Sequence, residues 1–416
     1  MQIRLELTTR GMWAISSNPI LNQWSPMPAK RTYLDWNASA PLLPAARAAM
    51  IDALDGTGNA SSVHTEGRDR KKRVETARTQ VAKALGVLPG RVMFTSGASE
   101  AAAHALSPHM SAGGHDILLS TLYVSAVEHP AILSGGRFAP EMVVRIPVDR
   151  AGLVDMQALT ELLGNHDASA GLPLVAVQLA NSETGVIQSI AEIAAIVHQH
   201  GGLLVVDAVQ AFGKMPVDMA ALEADFLIVS GHKIGGPQGA GALVFGQGGL
   251  HPRPLIRGGG QESHQRAGTE NVAAIAGFGA ASAEIPEMLE KNSKTAALRD
   301  SIESEIATIC SSAGNRFGTP VFFGQEVTRL ANTSCFAVPG IKAETALIAF
   351  DLAGIAISSG SACSSGKVGK SHVLEAMGVD DELARCALRI SLGPATIDED
   401  AERFVGAFKD IVSRIS

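Results

Sequence analysis

Residues 203–233 read LLVVDAVQAFGKMPVDMAALEADFLIVSGHK, and this stretch decides the fold class. Two short apolar runs, 203–206 and 226–229, are typical of buried strands. The chain between them has room for one connecting helix. The first run ends at Asp207, and the second leads into Ser230-Gly231-His232-Lys233. Because ligands bind beyond the carboxyl ends of parallel strands, Asp207 and Lys233 are expected beside a ligand crevice.

Apolar runs and helical patterns alternate along the chain as far as residue 290. The candidate strands are Val92–Thr95, Ile117–Ser120, Met142–Ile146, Leu174–Ala180, Leu203–Val206, Phe226–Val229 and Ala242–Phe245. The candidate helices include Arg68–Leu85, Glu100–Leu106, Ile190–His200, Val272–Leu289, Leu298–Cys310 and Ala401–Ile415. This order predicts an α/β protein with a largely parallel sheet covered on both faces.

The pattern of the sequence changes near residue 290, where the charged segment Glu287–Lys294 precedes a new set of short candidate strands. We therefore predict a large cofactor-binding domain over 31–290 and a smaller α+β domain over 291–416. The start of the large domain is expected to pack on the small one. Residues 1–30 are expected to be a loose extension.

An acid and a lysine at neighbouring strand ends favour pyridoxal phosphate as the cofactor. This cofactor requires a lysine that carries it as a Schiff base and an acid that keeps the pyridine nitrogen protonated. Taken alone, Asp207 could also cap a helix, and Lys233 could lie on a solvated face. A metal site is not predicted, because no suitably spaced partner accompanies Asp207.

The phosphate of such a cofactor requires a binding site of its own. Residues 94–100, FTSGASE, predict a strand, a Gly/Ser turn and the start of a helix. Free backbone N–H groups at a helix start bind anions, and Ala98 and Ser99 lie at that start. A helix simply capped by serine remains an alternative interpretation of this segment.

Composition and charge exclude several classes of protein. The 34 lysines and arginines and the 41 aspartates and glutamates give a net charge of −7, which argues against nucleic acid as the main partner. Four scattered cysteines do not make a disulfide framework. The apolar stretch Val272–Ala283 is too short to span a bilayer. No export signal is recognised, so a cytoplasmic location is expected.

Eight segments occur in the order found in the cysteine desulfurases, a pyridoxal-phosphate-dependent group within the class V aminotransferase-like proteins. They are 33–41, YLDWNASAP; 58–64, GNASSVH; 94–100; 128–130, EHP; 181–185, NSETG; 230–233; 257–262, RGGGQE; and 358–366, SSGSACSSG. The chain resembles this family from residue 31 to residue 416. The resemblance implies the type I fold of pyridoxal-phosphate transferases, with a mainly parallel seven-stranded sheet.

The resemblance also implies roles for individual residues. Lys233 matches the lysine that carries the cofactor, Asp207 the partner of the pyridine nitrogen, and His129 the residue that stacks on the ring and moves protons. The other implied cofactor and substrate contacts are Asn181 and Gln210 at the pyridine hydroxyl, Ala98, Ser99, Ser230 and His232 at the phosphate, Thr269 from the second subunit, and Arg389 and Asn37 at the substrate carboxylate. The Thr269 match implies a homodimer.

Cys363 lies among serines and glycines, whereas Cys310, Cys335 and Cys386 have apolar neighbours. Small neighbours and a nearby lysine favour an exposed, reactive thiol. The resemblance implies that Cys363 takes the sulfur of L-cysteine as a persulfide, leaves L-alanine, and passes the sulfur to an acceptor or scaffold protein for iron–sulfur cluster assembly or another pathway. A selenocysteine lyase or aminotransferase on the same scaffold, or a non-catalytic partner protein, are the alternatives.

Overall fold

The apolar runs 203–206 and 226–229 form two adjacent strands at the centre of a sheet. The computed structural model describes residues 31–359 and 370–414. Strands β7 (Leu203–Asp207) and β8 (Phe226–Ser230) run parallel, with Val206 opposite Leu227 and Asp207 opposite Ile228. Side chains alternate along each strand, so Leu204 and Val206 enter one core and Leu203 and Val205 the other.

Seven strands form the main sheet, in the order β5-β4-β6-β7-β8-β9-β2. The five other strands are β2 (Val92–Thr95), β4 (His115–Ser125), β5 (Val143–Ile146), β6 (Leu172–Gln178) and β9 (Gly241–Phe245). The pairs from β5 to β8 are parallel, and β9 is antiparallel to both β8 and β2. The predicted mainly parallel seven-stranded sheet is therefore confirmed. The structure adds an antiparallel extension, in which β3 (His109–Ala112) pairs with β4 and with β10 (Leu250–Pro252).

Helices cover both faces of this sheet, because the strands are apolar on both faces. On one face lie α2 (Thr65–Ala84), α5 (Met156–Gly164), α6 (Ile190–Gln199) and α7 (Val272–Ala283), with α1 (Pro44–Leu54) and α8 (Ile285–Glu290) nearby. On the other face lie α3 (Ala98–Ala105) and α4 (Pro130–Leu133).

The single helix predicted over Val272–Leu289 is wrong in one respect, because the structure has two helices there. The first ends at Ala283, Glu284 caps it, and the second begins at Ile285. Pro286 lies in the first turn of the second helix, where its missing N–H costs nothing. In a continuous helix the same proline would lose a hydrogen bond and clash with the preceding turn.

A second sheet has the order β11-β12-β15-β14 and is antiparallel throughout. Its strands are β11 (Val321–Phe322), β12 (Thr333–Ala337), β14 (Ser358–Ser359) and β15 (Ala387–Ser391). The helices of this part are α9 (Asn292–Ser312), α10 (Ala343–Leu352), α11 (His372–Ala376), α12 (Asp381–Ala384) and α13 (Asp398–Arg414). Phenylalanines from α10 and α13 stack in its core.

The first described residues pack against this second sheet. Strand β1 (Thr32–Tyr33) pairs in parallel with β13 (Ile355–Ala356), and Leu34 is fully buried in the second core. The described residues from Thr32 onward form one compact unit. The boundary near residue 290 therefore stays a prediction. In the described part of the chain, no helix is long and apolar enough to cross a membrane.

Candidate active site

A cavity of about 540 Å³ opens at the carboxyl ends of β6, β7 and β8. Ten residues singled out from the sequence line it: Asn37, Ala98, Ser99, His129, Asp207, Gln210, Ser230, His232, Lys233 and Arg389. They come from six separate segments of the chain, and the ends of the parallel strands bring them together. The predicted location of the site, beyond the strand ends, agrees with this cavity.

Asp207 lies on the floor of the cavity, and its Oδ1 accepts a hydrogen bond from the Val209 N–H at 2.9 Å. Burial raises the pKa of this carboxyl to about 6, although the Val209 N–H and the positive charge of Lys233 both oppose the rise. The neighbouring Glu128 is fully buried, and burial together with Asp207 raises its pKa far above the ordinary value. Glu128 is therefore neutral, and Asp207 is the carboxylate that carries the charge on this floor.

Lys233 ends a short turn of 3₁₀ helix, Gly231–Lys233, that follows β8 directly. Its Nζ donates hydrogen bonds to the backbone oxygens of Asn37 at 2.6 Å and of Ala38 at 2.9 Å. Both acceptors belong to the segment that leads away from the second sheet. Two backbone carbonyls thus hold the Lys233 amine at the edge of the cavity.

His129 is the N-cap of α4, and its Nδ1 accepts a hydrogen bond from the Ala131 N–H at 3.1 Å. The neutral ring therefore carries its hydrogen on Nε2. The ring is accessible through the open cavity, yet the surrounding protein restricts its hydration. This desolvation, with the positive charges of Lys233 and His372, lowers the pKa of His129. At neutral pH the ring is an uncharged hydrogen-bond donor at Nε2.

The start of α3 forms one wall of the cavity. Its N-cap is Gly97, which has no side chain to cap the helix, so the first-turn N–H groups remain available to a ligand. The φ angle of Gly97 is 153°, and a Cβ added there would meet no atom within 4 Å. A larger residue would be strained there. Its side chain would also enter the cradle, the space beside the first-turn N–H groups of α3. Ser99 is exposed at this helix start.

Glu100 fixes the position of this cradle. It forms a bidentate ion pair with Arg266, at 2.8 and 3.1 Å, and accepts a hydrogen bond from the Ser96 N–H at 2.8 Å. Burial opposes its charge, but Arg266 and Ser96 outweigh burial and lower the pKa to about 2. The pair connects α3 to the segment that carries Thr269.

Arg389 lies on β15 and is only 2% exposed. Its Nη2 donates to Asp35 at 2.6 Å, and its Nη1 donates to the Ser182 oxygen at 3.0 Å. Its buried Nε has no hydrogen-bond partner among the described residues. Arg389 lines the cavity, and two of its five N–H donors are used within the protein, so the guanidinium can bind an anionic ligand with the others.

The family model "Aminotransferase class-V" matches residues 32–404. A cysteine desulfurase of Gluconacetobacter diazotrophicus is 37% identical over 92% of this chain and 94% of its own length. An IscS-like cysteine desulfurase of Mycobacterium tuberculosis is 37% identical over 92% of this chain and 96% of its own length. The chain belongs to the cysteine desulfurase branch of the class-V aminotransferases. The crystal structure of a NifS-like protein from Rickettsia africae, 35% identical, superimposes with a TM-score of 0.79 over 92% of this chain and 100% of its own.

Members of this family use pyridoxal phosphate, and the cavity provides the groups that this cofactor needs. Lys233 would supply the amine, Asp207 the negative charge for the pyridine nitrogen, and the uncapped start of α3 the N–H groups for the phosphate. His232, which contacts Ser39 Oγ at 3.3 Å, also lines the phosphate end. Burial, Lys233 and Lys214 lower its pKa to about 4, so it is an uncharged donor or acceptor there.

Among the described residues, two predicted site residues do not line the cavity. Asn181 is buried, and its amide holds the turn after β6: Oδ1 accepts from the Glu183 and Thr184 N–H groups, and Nδ2 donates to the Val127 oxygen. Its role at the pyridine hydroxyl stays a prediction. Thr269 is exposed and outside this cavity. Cys363 lies outside the described residues.

The structure also shows site residues that the sequence did not reveal. Gln178, Ser182 and Gln238 line the cavity, and Asp35 holds Arg389. Asp35, Ser182 and Glu128 stand within motifs that carried the family resemblance, so their position in those motifs was an available signal. Gln178 is at the end of a strand, next to Asp207 across the sheet, and could have been predicted from that register.

Proposed function

We propose that this protein is a pyridoxal-phosphate-dependent cysteine desulfurase. It takes L-cysteine, releases L-alanine, and leaves the sulfur on Cys363 as a persulfide. The observation that carries the proposal is the single cavity that joins Lys233, Asp207, His129 and Arg389 at the carboxyl ends of the strands. The relatives named as cysteine desulfurases support the reaction assigned to that cavity.

The substrate carboxylate binds at Arg389. Asp35 and the Ser182 oxygen each accept one hydrogen bond, from Nη2 and Nη1, so three of the five N–H donors of the guanidinium remain for the carboxylate. Asp35 balances the charge of the arginine and keeps the side chain in place when no substrate is bound. The guanidinium is therefore already oriented when the substrate arrives, which reduces the cost of binding.

Pyridoxal phosphate, held on Lys233, would draw electrons from the substrate and allow its Cα–H and C–S bonds to break. The Lys233 amine is the group that moves the substrate's α proton. His129 cannot accept a proton from the cavity side, because its Nδ1 lone pair already accepts the Ala131 N–H. His129 instead donates a hydrogen bond from Nε2 into the cavity. Asp207 would keep a negative charge next to the pyridine nitrogen of the cofactor. A protonated pyridine nitrogen would in turn lower the pKa of Asp207.

The Cys363 thiolate attacks the substrate sulfur. The carbon–sulfur bond breaks, its electron pair remains with the substrate carbon, and a proton there completes alanine. One cysteine and one protein thiol thus give one alanine and one protein persulfide, with no external oxidant or reductant. The three other cysteines are buried, and burial raises the pKa of the Cys310 thiol to about 11 and that of Cys335 still further. They are poor nucleophiles at neutral pH.

The described residues beside Cys363 are close to the cavity. Ser358 pairs with Arg389 across β14 and β15, and Ser359 ends the described strand. Cys363 follows Ser359 by four residues, which extend over at most about 14 Å. On the C-terminal side of Cys363, Ser371 Oγ donates to Glu183 Oε2 at 2.6 Å. His372 Nε2 contacts the backbone oxygen of Glu128 at 2.8 Å. A thiol at position 363 is thus within reach of a substrate bound at Arg389.

The proposal includes a homodimer in which Thr269 contacts the phosphate of the second subunit. It also includes a sulfur-acceptor or scaffold protein, which takes the persulfide sulfur, and a cytoplasmic location. The exposed position of Thr269, on a segment anchored by Arg266 and Glu100, supports the first of these.

The test is an assay of alanine and sulfide with L-cysteine and a reductant, for the wild type, Cys363→Ala and the matched control Cys310→Ala. We expect alanine from the wild type and Cys310→Ala, and near-complete loss from Cys363→Ala with its cofactor absorption intact. Mass spectrometry after brief exposure to cysteine should place one added sulfur on the peptide that contains Cys363. Full activity of Cys363→Ala would refute the sulfur-transfer role. Loss with cysteine but retention with selenocysteine would favour a selenocysteine lyase instead.

A further inference from the structure

Lys214 is a second lysine whose amine lies inside the protein, close to Lys233. Its Nζ donates to Asn37 Oδ1 at 2.7 Å and to Gln210 Oε1 at 2.5 Å. Burial lowers the pKa of this amine well below its ordinary value, and the positive charges of Lys233 and Arg389 lower it further. The lysine is partly buried, so its amine is costly to desolvate unless it is paired, and the mechanism above does not use it.

The contact with Lys214 determines which way the Gln210 amide points. Gln210 Oε1 faces the lysine donor, so Nε2 is left to donate, and it does so to the Asn37 backbone oxygen at 3.0 Å. That oxygen also accepts the hydrogen bond from Lys233. A flipped amide would place Oε1 against the Asn37 oxygen and Nε2 against the Lys214 amine. The Asn37 oxygen and the Lys214 donor therefore both favour the observed orientation.

The same amine holds the side chain of Asn37. Oδ1 accepts from Lys214 and from Asn332 Nδ2 at 3.0 Å, while Nδ2 donates to Thr333 Oγ1 at 2.9 Å and to the Ser182 oxygen at 3.1 Å. Each polar atom of this buried amide thus has a partner. Without Lys214, Asn37 would lose one of its two Oδ1 donors, and the buried Gln210 Oε1 would lose the donor that fixes it.

We propose that Lys214 is a positioning residue. Its two N–H donors orient the amide of Gln210 and the side chain of Asn37. They thereby hold the backbone carbonyl of Asn37, which accepts the hydrogen bond from Lys233. The two acceptors, Asn37 Oδ1 and Gln210 Oε1, use two N–H donors of the amine. The lowered pKa favours the uncharged amine, which has two such donors and adds no positive charge beside Lys233. The inference rests on the proposed function, because Lys233 holds the cofactor there.

The test compares Lys214→Met, which removes both donors, with Lys214→Gln, which keeps an uncharged group with two N–H donors, and Lys214→Arg, which keeps the charge. The matched control is Lys291→Met, because Lys291 lines the same cavity of about 190 Å³ as Lys214 but forms an exposed ion pair with Glu287. The readouts, without substrate, are the dissociation constant of added pyridoxal phosphate and the pH titration of its visible absorption band. Circular dichroism of each variant checks that it is folded.

We expect Lys214→Met and Lys214→Arg to bind the cofactor about ten-fold more weakly, with a shifted titration midpoint. Lys214→Gln should be restored to within about three-fold of the wild type, and Lys291→Met should match the wild type. Wild-type behaviour of Lys214→Met would overturn the proposal. Rescue by Arg but not by Gln would overturn it as well, since charge would then be the important property, and so would equal impairment of all three folded variants.

These outcomes are separable from a failure of the proposed function. If the wild type binds pyridoxal phosphate at Lys233 but makes no alanine from cysteine, the assigned reaction is wrong, while the comparison among the Lys214 variants still decides their role. If the wild type binds no pyridoxal phosphate, both proposals are refuted together.

Discussion

Glu183 gives a quantitative prediction about pH and stability. Its side chain lies beneath the active site, where the residue is 4% exposed, and Ser371 Oγ donates to its Oε2 at 2.6 Å. Burial raises the pKa of this carboxyl from its usual 4.5 to about 7, although Ser371 and Arg389 both favour the charged form. The folded protein thus binds a proton at Glu183 more tightly than the unfolded chain does.

The sign of the effect follows from this difference in proton binding. Below pH 4.5 the carboxyl is protonated in both states, and its full contribution to stability is present. As the pH rises from about 4.5 to about 7, the unfolded chain ionises first, and the free energy of unfolding decreases. The total loss is about 3 kcal/mol, of which about 2.5 kcal/mol falls between pH 5 and pH 8. Glutamine keeps the shape and has no charge, so Glu183→Gln should remove this loss.

The measurement is urea unfolding of the wild type and Glu183→Gln at pH 5 and pH 8. The difference in unfolding free energy between the two proteins should change by about 2–3 kcal/mol in favour of the variant as the pH rises. The control is Glu161→Gln, an exposed carboxylate that accepts a hydrogen bond from Gln157. It should follow the wild type at both pH values. Parallel pH dependence of the wild type and Glu183→Gln would show that Glu183 is already charged in the folded protein.

Two further predictions concern the cofactor. Asp207→Asn should fold normally, because an amide oxygen can still accept the Val209 N–H, but turnover should fall about 100-fold at full cofactor occupancy; near-normal turnover would exclude the assigned role. Mixed dimers of Thr269→Ala and Lys233→Ala chains should regain activity after subunit exchange, because one of their two sites combines an intact lysine with an intact threonine. If exchange is proven by mass and activity does not return, each site is built within one chain.

The strand ends of the main sheet could be predicted because the signal for them is local. Apolar runs of four or five residues define the strands, and Asp207 and Lys233 follow two of them that are neighbours in the sheet. Parallel strands bring their carboxyl ends to one edge, so spacing along the chain translates directly into proximity. The cradle at Gly97 is local for the same reason, since a strand, a glycine and a helix start occupy consecutive residues.

The polar network behind Lys233 could not be predicted in this way. Lys214 and Asn332 both donate hydrogen bonds to Asn37. Nearly 300 residues separate the two asparagines in the chain. No periodicity or spacing indicates such a contact, and a lysine after Gly213 has the pattern of a surface residue. Asn181 shows the converse. The ligand contact that its motif suggested stays a prediction, and the structure shows a local use of its side-chain oxygen, which accepts from the Glu183 and Thr184 N–H groups of its own turn.

Residues 34–38 connect the two halves of the site. The Ser391 N–H donates a hydrogen bond to the Leu34 backbone oxygen at 2.8 Å. Asp35 holds Arg389, the group proposed for the substrate carboxylate. Two residues later, the Asn37 oxygen accepts the hydrogen bond from Lys233 on the main sheet. A carboxylate bound at Arg389 therefore meets a guanidinium that is held by the same short segment that seats the lysine. Occupancy of the substrate subsite and the position of the Lys233 amine are coupled through five consecutive residues, so a substitution at Asp35 should alter both substrate binding and the environment of Lys233.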